Sequence, residues 1–330
     1  MKSLYLDKPG EVAFTTLPDI EKIAEDEVKL RVIYGGICGS DVGVFKGKLP
    51  HASYPVVPGH EILGEVVAVG SHTSIELGKR AVVQPNSFCG ECEYCQAGNT
   101  NICPEKKSLG INENGGFQNE FIVKEKYVIE VPDALSNERA VLVEPLAVIV
   151  HALEKVSIGP GTSVAVIGCG TEGMLAVALA SYFGAKITAI DINPEKLDKV
   201  KEHYPDITTL HPEEVHCNQF EIVVEVAGVR ASFEQCLDIA KPGGAVISVG
   251  FPNIAEIEVV RMVRKELTIY GSIIYNVPDD FYTSIYYLMD DKFYVEPIIS
   301  EILPVTAFEE AYEKACSGKY RKIVLDFNNF

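Results

Sequence analysis

Long apolar runs and basic residues are what this sequence lacks. No stretch approaches the roughly 18 apolar residues that span a bilayer, and the opening MKSLYLDKPGEV holds no apolar core of signal-peptide length. Lysine and arginine number 29 against 47 acidic residues, giving a formal net charge of −18. Nucleic acids and anionic membranes would repel such a chain. We therefore expect a cytoplasmic protein whose partner is a small molecule, not nucleic acid or a membrane.

The nine cysteines are spaced as metal ligands, not as a disulfide framework. Four of them fall within 15 residues, and glycines between them let the loop fold back. These four are Cys89, Cys92, Cys95 and Cys103. Four thiolates at tetrahedral corners suit Zn²⁺ and leave no open position, so we expect a structural zinc. An iron–sulfur cluster is the alternative, although the spacing differs from the common ferredoxin patterns.

The residue pattern changes near residue 147. Before it, short apolar runs such as 28–34 and 62–69 are separated by Gly and Pro, which is typical of β-rich structure. After it, the predicted strands are 163–167, 186–190, 221–226 and 245–249, and the predicted helices are 172–183, 194–203 and 231–240. Strands that alternate with helices predict an α/β fold with a doubly wound parallel sheet.

After Gly271 this alternation stops, leaving a predicted helix at 281–289 and a strand at 322–326. We therefore expect an α/β domain, residues 148–276, inserted in a β-rich domain that both chain ends build. The two parts of the β-rich domain are residues 1–147 and 277–330.

A glycine-rich turn of sequence GCGTEG follows the first strand of the α/β domain and opens a helix. In this context the G-x-G-x-x-G pattern predicts a dinucleotide site. Gly168 allows a tight turn, Gly170 lets backbone N–H groups approach the pyrophosphate, and Gly173 lets helix and strand pack closely. The helix start at Thr171 and Glu172 offers unpaired N–H donors to the phosphates. A purely structural turn is the alternative.

Asp191 ends the next predicted strand, 18 residues after Gly173. A carboxylate there accepts hydrogen bonds from the adenosine ribose and repels the 2′-phosphate of NADP. No arginine follows it, so the sequence favours NAD(H). The alternative for Asp191 is a solvated acid at a strand end, and Lys196 is interpreted as a charge on a helix surface.

Three fragments carry further ligand types: Cys38 in GICGSD, His60 and Glu61 in GHE, and Glu144 in VEP. Separately, each has an ordinary explanation as a core thiol, a turn histidine or a surface acid. Together, a thiolate, an imidazole and carboxylates form the mixed set that a catalytic zinc uses, with a position left for water or substrate. We therefore expect two zinc ions per chain, one structural and one catalytic.

In order and spacing, six motifs resemble those of the zinc-dependent medium-chain alcohol dehydrogenases, nearest the polyol branch with sorbitol and galactitol-phosphate dehydrogenases. The motifs are GICGSD at 36–41, GHE at 59–61, the cysteine loop at 89–103, VEPLAV at 143–148, GCGTEG at 168–173 and RKELTIYGS at 264–272. This resemblance covers essentially the whole chain. It implies a Rossmann sheet inserted in a GroES-like catalytic domain, and hydride transfer between a secondary alcohol or polyol and NAD(H).

The resemblance also implies roles for residues of the catalytic domain. Cys38 and His60 are implied as catalytic zinc ligands, and Glu61 as a ligand or an exchangeable neighbour. Glu144 is implied as a ligand that binds zinc directly or through a water. Ser40 is implied to accept the proton of the alcohol.

For the cofactor, the resemblance implies that Ala227 and Val249 line the nicotinamide side. It implies that Lys322 contacts the cofactor phosphates; the alternative for Lys322 is an exposed charge near the chain end. Members of the family form dimers or tetramers, so we expect a homodimer or homotetramer, with the strand near 267–271 as a pairing edge.

Two places depart from the family pattern. Gly43 stands where relatives often carry a histidine that completes a proton relay, so the proton leaves through water or ribose, or His51 substitutes. Ile273, Ile274 and Tyr275 stand where sorbitol-type relatives carry an arginine that meets the substrate. That difference favours a substrate less hydroxylated than sorbitol.

Two rival functions share part of the pattern. A threonine-type amino-acid dehydrogenase would share the zinc and cofactor motifs, but such enzymes usually differ at Ser40 and within VEPLAV. A non-catalytic, NAD-binding zinc protein would have lost Cys38, His60 or Ser40, and all three are present.

Overall fold

The computed structural model describes residues 2–16, 18 and 22–330, which divide into two units. Unit 1 contains the residues up to Glu144 together with Asn276–Met289 and Ile299–Phe330. Unit 2 contains Pro145–Tyr275 and Asp290–Ile298. The return of Asp290–Ile298 to unit 2 has no counterpart in the domain division expected from the sequence.

The bounds of the elements are as follows, in chain order. The strands are β1 Lys2–Lys8, β2 Glu11–Thr16, β3 Glu27–Ile37, β4 Glu61–Val69, β5 Arg80–Val83, β6 Glu120–Lys124, β7 Val128–Glu130, β8 Ser163–Ile167, β9 Lys186–Ile190, β10 Thr208–Leu210, β11 Phe220–Glu225, β12 Ala240–Ser248, β13 Thr268–Gly271, β14 Ile299–Pro304 and β15 Lys322–Asp326. The helices are α1 Gly39–Phe45, α2 Glu93–Gln96, α3 Asn137–Ala140, α4 Val143–Leu153, α5 Thr171–Tyr182, α6 Pro194–His203, α7 Arg230–Ile239, α8 Val259–Arg264, α9 Asp279–Leu288 and α10 Phe308–Ser317.

Unit 1 is built on a largely antiparallel sheet with the strand order β14-β15-β3-β4-β5-β7, and β6 also pairs with β3. Only β14 and β15 run parallel among these pairs of the described chain. In β3, buried Val28, Leu30 and Val32 alternate with outward Lys29 and Arg31, the period of two that half-buried strands show. The buried side chains pack into one apolar core, which includes Phe117, Phe121, Ile323 and Leu325.

The register of three neighbouring strands in unit 1 determines where the polar residues lie. Gly36 of β3 stands opposite Glu61 of β4 on one side and Val324 of β15 on the other. The end of β3, the start of β4 and the start of β15 therefore lie side by side. A one-residue slip would turn these side chains to the opposite face of the sheet.

Unit 2 contains a six-stranded sheet of order β10-β9-β8-β11-β12-β13, parallel throughout. The first strand, β8, is central; the chain steps outward to β9 and β10 and then crosses to β11. This is the doubly wound order, whose carboxyl ends bind ligands where the direction reverses. The predicted fold class is confirmed, because a Rossmann-type parallel sheet is inserted in a β-rich unit.

Most predicted elements coincide with observed ones, and the differences have local causes. Strands 163–167, 186–190 and 322–326 and helix 194–203 are observed as β8, β9, β15 and α6. Helix α4 was not predicted from the sequence; it contains Pro145 in its first turn, where proline forfeits no intrahelical bond. Of the helices in the described residues, none is both long and apolar enough to cross a membrane.

Candidate zinc centres and dinucleotide site

The start of α1 and the start of β4 bring three predicted metal ligands together. Cys38 follows β3 and caps α1 in an extended conformation. Because β3 pairs with β4 so that Gly36 faces Glu61, His60 comes to lie beside Cys38. Donor atoms of Cys38, His60 and Glu61 all lie within 4.8 Å of one another. Atoms so close can share one divalent ion.

A buried carboxylate, Asp41, supports this group from behind. Its Oδ2 accepts a hydrogen bond from the Cys38 N–H at 2.9 Å, and its Oδ1 accepts one from the Gly59 N–H at 3.2 Å. The same Oδ1 lies 3.5 Å from Nδ1 of His60, within reach of charge attraction but not aligned for a hydrogen bond. Asp41 therefore leaves Nε2 of His60 to face a metal, the arrangement typical of metal-binding histidines.

The electrostatics of His60 fit a cation at this place. Burial lowers the pKa of His60, but the Asp41 carboxylate and the Cys38 sulfur raise it, and the net pKa lies well above its ordinary value. A bound divalent ion would take the place of the proton that these groups attract. The Ser40 hydroxyl lies 3.2 Å from Nε2 of His60, so it faces the same small space.

Glu61 is paired with Lys322, which the family resemblance places against the cofactor. Nζ of Lys322 donates to both carboxylate oxygens of Glu61, at 2.6 Å to Oε2, and the two side chains are 1% and 0% exposed. Gly36 makes room for the carboxylate, because a Cβ there would overlap Oε2. Lys322 is thus not the exposed charge of the alternative interpretation, because its ammonium group is buried and pairs with Glu61, and its contact with cofactor phosphates stays a prediction.

Glu144 is the predicted ligand that the structure does not bring into the three-residue group. It lies in the first turn of α4 and is 7% exposed, whereas the close donor atoms in the described chain are those of Cys38, His60 and Glu61. Its binding to zinc stays a prediction. His51, the suggested relay residue, lies exposed in a turn, and the relay route also stays a prediction.

The four clustered cysteines face one another across a short loop around α2. Sγ of Cys89 lies 3.8 Å from Sγ of Cys95 and 3.7 Å from Sγ of Cys103. Sulfurs bound tetrahedrally at about 2.3 Å from a zinc ion are about 3.8 Å apart, so the spacing fits one zinc. A two- or four-iron cluster divides its cysteines among several irons, so one sulfur would not have two others this close.

The thiols of this cluster differ widely in pKa. Backbone N–H groups of Cys92 and Glu91 lower the pKa of Cys89 to about 7, whereas desolvation raises the pKa of Cys95 to about 12. Four thiolates in so small a volume repel one another strongly. A divalent cation removes that repulsion, which is why the cluster suits a metal.

The glycine-rich turn joins β8 to α5 in unit 2. Gly168 has φ +104°, and its N–H donates to the carbonyl of Ile190 at 2.8 Å. A Cβ at Gly173 would overlap the carbonyl oxygen of Gly168, so helix and strand meet backbone to backbone. A Cβ at Gly170 would meet nothing within 4 Å. That open space lies before Thr171, the start of α5, where free N–H groups attract phosphate.

Asp191 follows β9 and binds the same turn. Its Oδ2 accepts a hydrogen bond from the Cys169 N–H at 2.7 Å, and its Oδ1 accepts one from the Asn193 N–H at 2.8 Å. Nζ of Lys196 lies 3.9 Å from Oδ2, a neighbour that the sequence analysis left as a surface charge. The signal for it is its position in the first turn of α6, five residues after the acid. The role of Asp191 toward ribose stays a prediction.

The other predicted cofactor residues of unit 2 lie at the same edge of the sheet. Ala227 follows β11, Val249 follows β12, and Glu172 lies in the first turn of α5. Carboxyl ends of parallel strands are where such sheets bind ligands. A doubly wound sheet with this turn, a four-thiol loop and a mixed thiol–imidazole–carboxylate group together define a zinc-dependent dehydrogenase.

Comparison with known proteins agrees with that class. Residues 24–133 match the alcohol dehydrogenase GroES-like domain, and residues 173–289 match the zinc-binding dehydrogenase family. The chain is 31% identical to the sorbitol dehydrogenase of Bacillus subtilis (strain 168), over 97% of this chain and 94% of that protein. The chain therefore belongs to the zinc-binding alcohol dehydrogenase family and is a zinc-dependent oxidoreductase of its polyol branch.

Solved structures of similar proteins cover nearly the whole chain. The galactitol-1-phosphate dehydrogenase of Escherichia coli has a TM-score of 0.89 and 30% identity, covering 99% of this chain and 100% of its own. A zinc-binding dehydrogenase structure from Sinorhizobium meliloti 1021, bound to NADP, has a TM-score of 0.90 and 27% identity, covering 98% of each chain. The resemblance inferred from the sequence motifs is confirmed.

Replacing Cys92 by serine tests the structural zinc. We expect Cys92→Ser to lower the zinc content from two equivalents per chain to one and to lower the melting temperature, because the remaining thiolates lose their shared cation. Elemental analysis and calorimetry measure both. The control is Cys217→Ser, an exposed thiol outside both groups, which should keep both values. Unchanged stability with lost turnover in Cys92→Ser contradicts the assignment.

Replacing Lys322 by methionine tests the buried ion pair. Lys322→Met leaves the Glu61 carboxylate buried and unpaired, which should lower the free energy of unfolding by about 3–5 kcal/mol. Urea unfolding measures it, and the exposed Lys319→Met is the control. Adding Glu61→Gln to Lys322→Met should restore much of the loss, since no charge is then left unpaired. If Lys322→Met alone is as stable as the parent, the ion pair between Lys322 and Glu61 is contradicted.

Proposed function

We propose that this oxidoreductase interconverts a secondary alcohol or polyol and its ketone with NAD(H), at a zinc ion held by Cys38 and His60 with Glu61 or Glu144. The observation that carries the proposal is the convergence of Cys38, His60 and Glu61 donor atoms within 4.8 Å. A relative and a solved neighbour named for sorbitol and galactitol 1-phosphate support a hydroxylated substrate.

The chain's own residues prepare the alcohol for oxidation. When bound, the zinc supplies a Lewis acid for the alcohol oxygen, and the nicotinamide supplies the hydride acceptor. Ser40, 3.2 Å from Nε2 of His60, takes the alcohol proton, and Asp41 keeps the imidazole oriented. Because Gly43 has no side chain to continue a relay, Ser40 passes the proton to water or ribose.

The residues after β13 support a substrate with fewer hydroxyl groups than sorbitol. Ile273, Ile274 and Tyr275 offer no guanidinium to a polyol chain, and Tyr275 is fully buried. Without such a donor, additional substrate hydroxyls gain no hydrogen bond there and do not raise the affinity. Simple diols and short polyols are therefore the first candidates.

A substrate screen tests the activity. Zinc-loaded protein is offered secondary alcohols, diols, polyols and 2-ketones with NAD(H), and absorbance of the reduced cofactor is followed. Cys38→Ser should reduce turnover at least about a thousandfold while NADH binding, measured by fluorescence, stays within about twofold. Surviving turnover in Cys38→Ser, or no turnover by the parent with any of these compounds, contradicts the proposal.

A similar fold has been solved with NADP bound, so the fold alone does not select the cofactor. The proposed choice of NAD(H) over NADP(H) rests on Asp191. Asp191→Asn keeps an acceptor for the Cys169 N–H but removes the charge that repels a 2′-phosphate. We expect the NAD/NADP ratio of kcat/KM to fall at least about tenfold, because a close like charge costs over a kcal/mol. An unchanged ratio removes Asp191 from this role.

We further propose that the chain forms a homodimer or homotetramer in the cytoplasm. Strand β13 is an outer strand of the described six-stranded sheet, and Val259, Val260 and Val263 of the preceding α8 are exposed. An unpaired edge beside an apolar surface suits pairing with a second copy about a two-fold axis. None of the nine cysteines, all of which lie in the described residues, forms a disulfide, which suits a reducing compartment. Analytical ultracentrifugation measures the oligomer.

A further inference from the structure

Glu225 is a buried acid in unit 2 that neither the motif nor the zinc chemistry accounts for. Glu225 is the last residue of β11, the strand that lies between β8 and β12 in the sheet, and it is 0% exposed. Its Oε1 accepts hydrogen bonds from the Gly228 N–H at 2.8 Å and from the Ser232 hydroxyl at 2.6 Å. Its Oε2 has no hydrogen-bond partner among the described residues. A carboxylate buried at this cost calls for a function.

One function of this carboxylate is to anchor the start of α7. The residue before that helix, Val229, makes no capping hydrogen bond, and the first turn of the helix holds no acidic side chain. The Glu225 carboxylate supplies the missing acceptor and the negative charge from the neighbouring strand, through Gly228 and Ser232. Negative charge at a helix N-terminus is stabilising. The turn that contains Ala227 is therefore held by Glu225.

The backbone of Glu225 holds a second turn. Its carbonyl accepts hydrogen bonds from the Val249 N–H at 2.9 Å and from the Gly250 N–H at 3.0 Å. A Cβ at Gly250 would lie 2.5 Å from Oε2 of Glu225 and 2.5 Å from the Gly228 nitrogen, so the two turns touch through glycine. One residue therefore ties the turn after β11 to the turn after β12.

The same packing reaches the glycine-rich turn. A Cβ at Gly168 would lie 2.9 Å from the backbone nitrogen of Ala227, and the Val226 N–H donates to the carbonyl of Ile167 at 3.0 Å. The carboxyl ends of β8, β11 and β12 thus interlock backbone to backbone. A shift at Glu225 must move the places expected to contact pyrophosphate and nicotinamide together.

We infer that Glu225 is a positioning residue of the cofactor site, which sets the two turns bearing Ala227 and Val249. The inference rests on the proposed use of a nicotinamide cofactor. Glu225 acts through these turns and not on the substrate. Replacing it should therefore weaken cofactor binding and leave the contacts of the alcohol unchanged. Precise turns matter because displacements of about 1 Å lower catalysis strongly.

The test replaces Glu225 by glutamine in the full zinc-loaded chain. Glu225→Gln removes the charge and puts an amide N–H₂ against Gly228 and Gly250. We expect the Kd for NADH and the KM for NAD to rise about tenfold, while the KM for the alcohol at saturating NAD changes less than about twofold. Fluorescence of bound NADH gives the Kd, and the chain has no tryptophan to interfere.

Hydrogen exchange gives a readout that needs no cofactor. In the cofactor-free variant, amides of 226–232 and 248–251 should exchange faster than in the parent, with the rest of the sheet unchanged. Glu221→Gln is the matched control. Glu221 is an exposed acid at the opposite end of β11, where its carboxylate accepts hydrogen bonds from the N–H and the hydroxyl of Ser163. If Glu225→Gln does not fold, Ser232→Ala, which removes one donor, should shift both readouts in the same direction by a smaller amount.

Each result has one meaning. Unchanged NADH binding in Glu225→Gln, whatever the exchange rates, overturns the inference while the proposed function stands. Lower stability with unchanged Kd and KM shows a merely structural acid and overturns it too. A parent chain that binds neither NADH nor NADPH refutes the proposed function and the inference together, since no nicotinamide would then be positioned.

Discussion

The pairing of β3 with β4 and β15 is the constraint on which the candidate catalytic group depends. Gly36 faces Glu61 on one side and Val324 on the other, so the start of each outer strand lies level with the end of β3. Cys38 and His60 meet only because this register places them at adjacent strand ends. Glycine at position 36 is required because the Glu61 carboxylate fills the space of a Cβ. The metal donors and the buried ion pair are thus products of one strand alignment.

In unit 2 the candidate cofactor residues are positioned by close backbone contact between strand ends. Its three central strand ends approach so closely that Gly168, Gly173, Gly228 and Gly250 each stand where a Cβ would crowd neighbouring atoms. Two buried carboxylates complete the arrangement: Asp191 binds the N–H of the glycine-rich turn, and Glu225 binds the turns beside it. Backbone contact without side chains leaves exposed N–H groups for a phosphate.

The sequence predicted what is local and periodic. Both zinc-type clusters, the glycine-rich turn and strands such as β8 and β9 follow from spacing within a few dozen residues. The pairing of Lys322 with Glu61 could not be predicted, because 261 residues separate them and only the sheet register joins them. Glu225 gave no signal either, since a glutamate ending an apolar strand is equally consistent with a solvated strand end. Long-range register and tertiary capping leave no period in the sequence.

Charge explains why two thiol-containing groups in one unit suit different tasks. Four thiolates around Zn²⁺ leave a formal charge of about −2 and no open corner, so that ion has little attraction for an alcohol oxygen. An ion held by Cys38 and His60 would meet one negative ligand charge, since Lys322 offsets that of Glu61, so the ion and its ligands together would keep a charge of about +1. An ion with residual positive charge and an open position polarises a bound hydroxyl. In the proposed reaction the buried Lys322 would therefore favour catalysis through its charge, and a directly bound Glu144 would reduce that contribution.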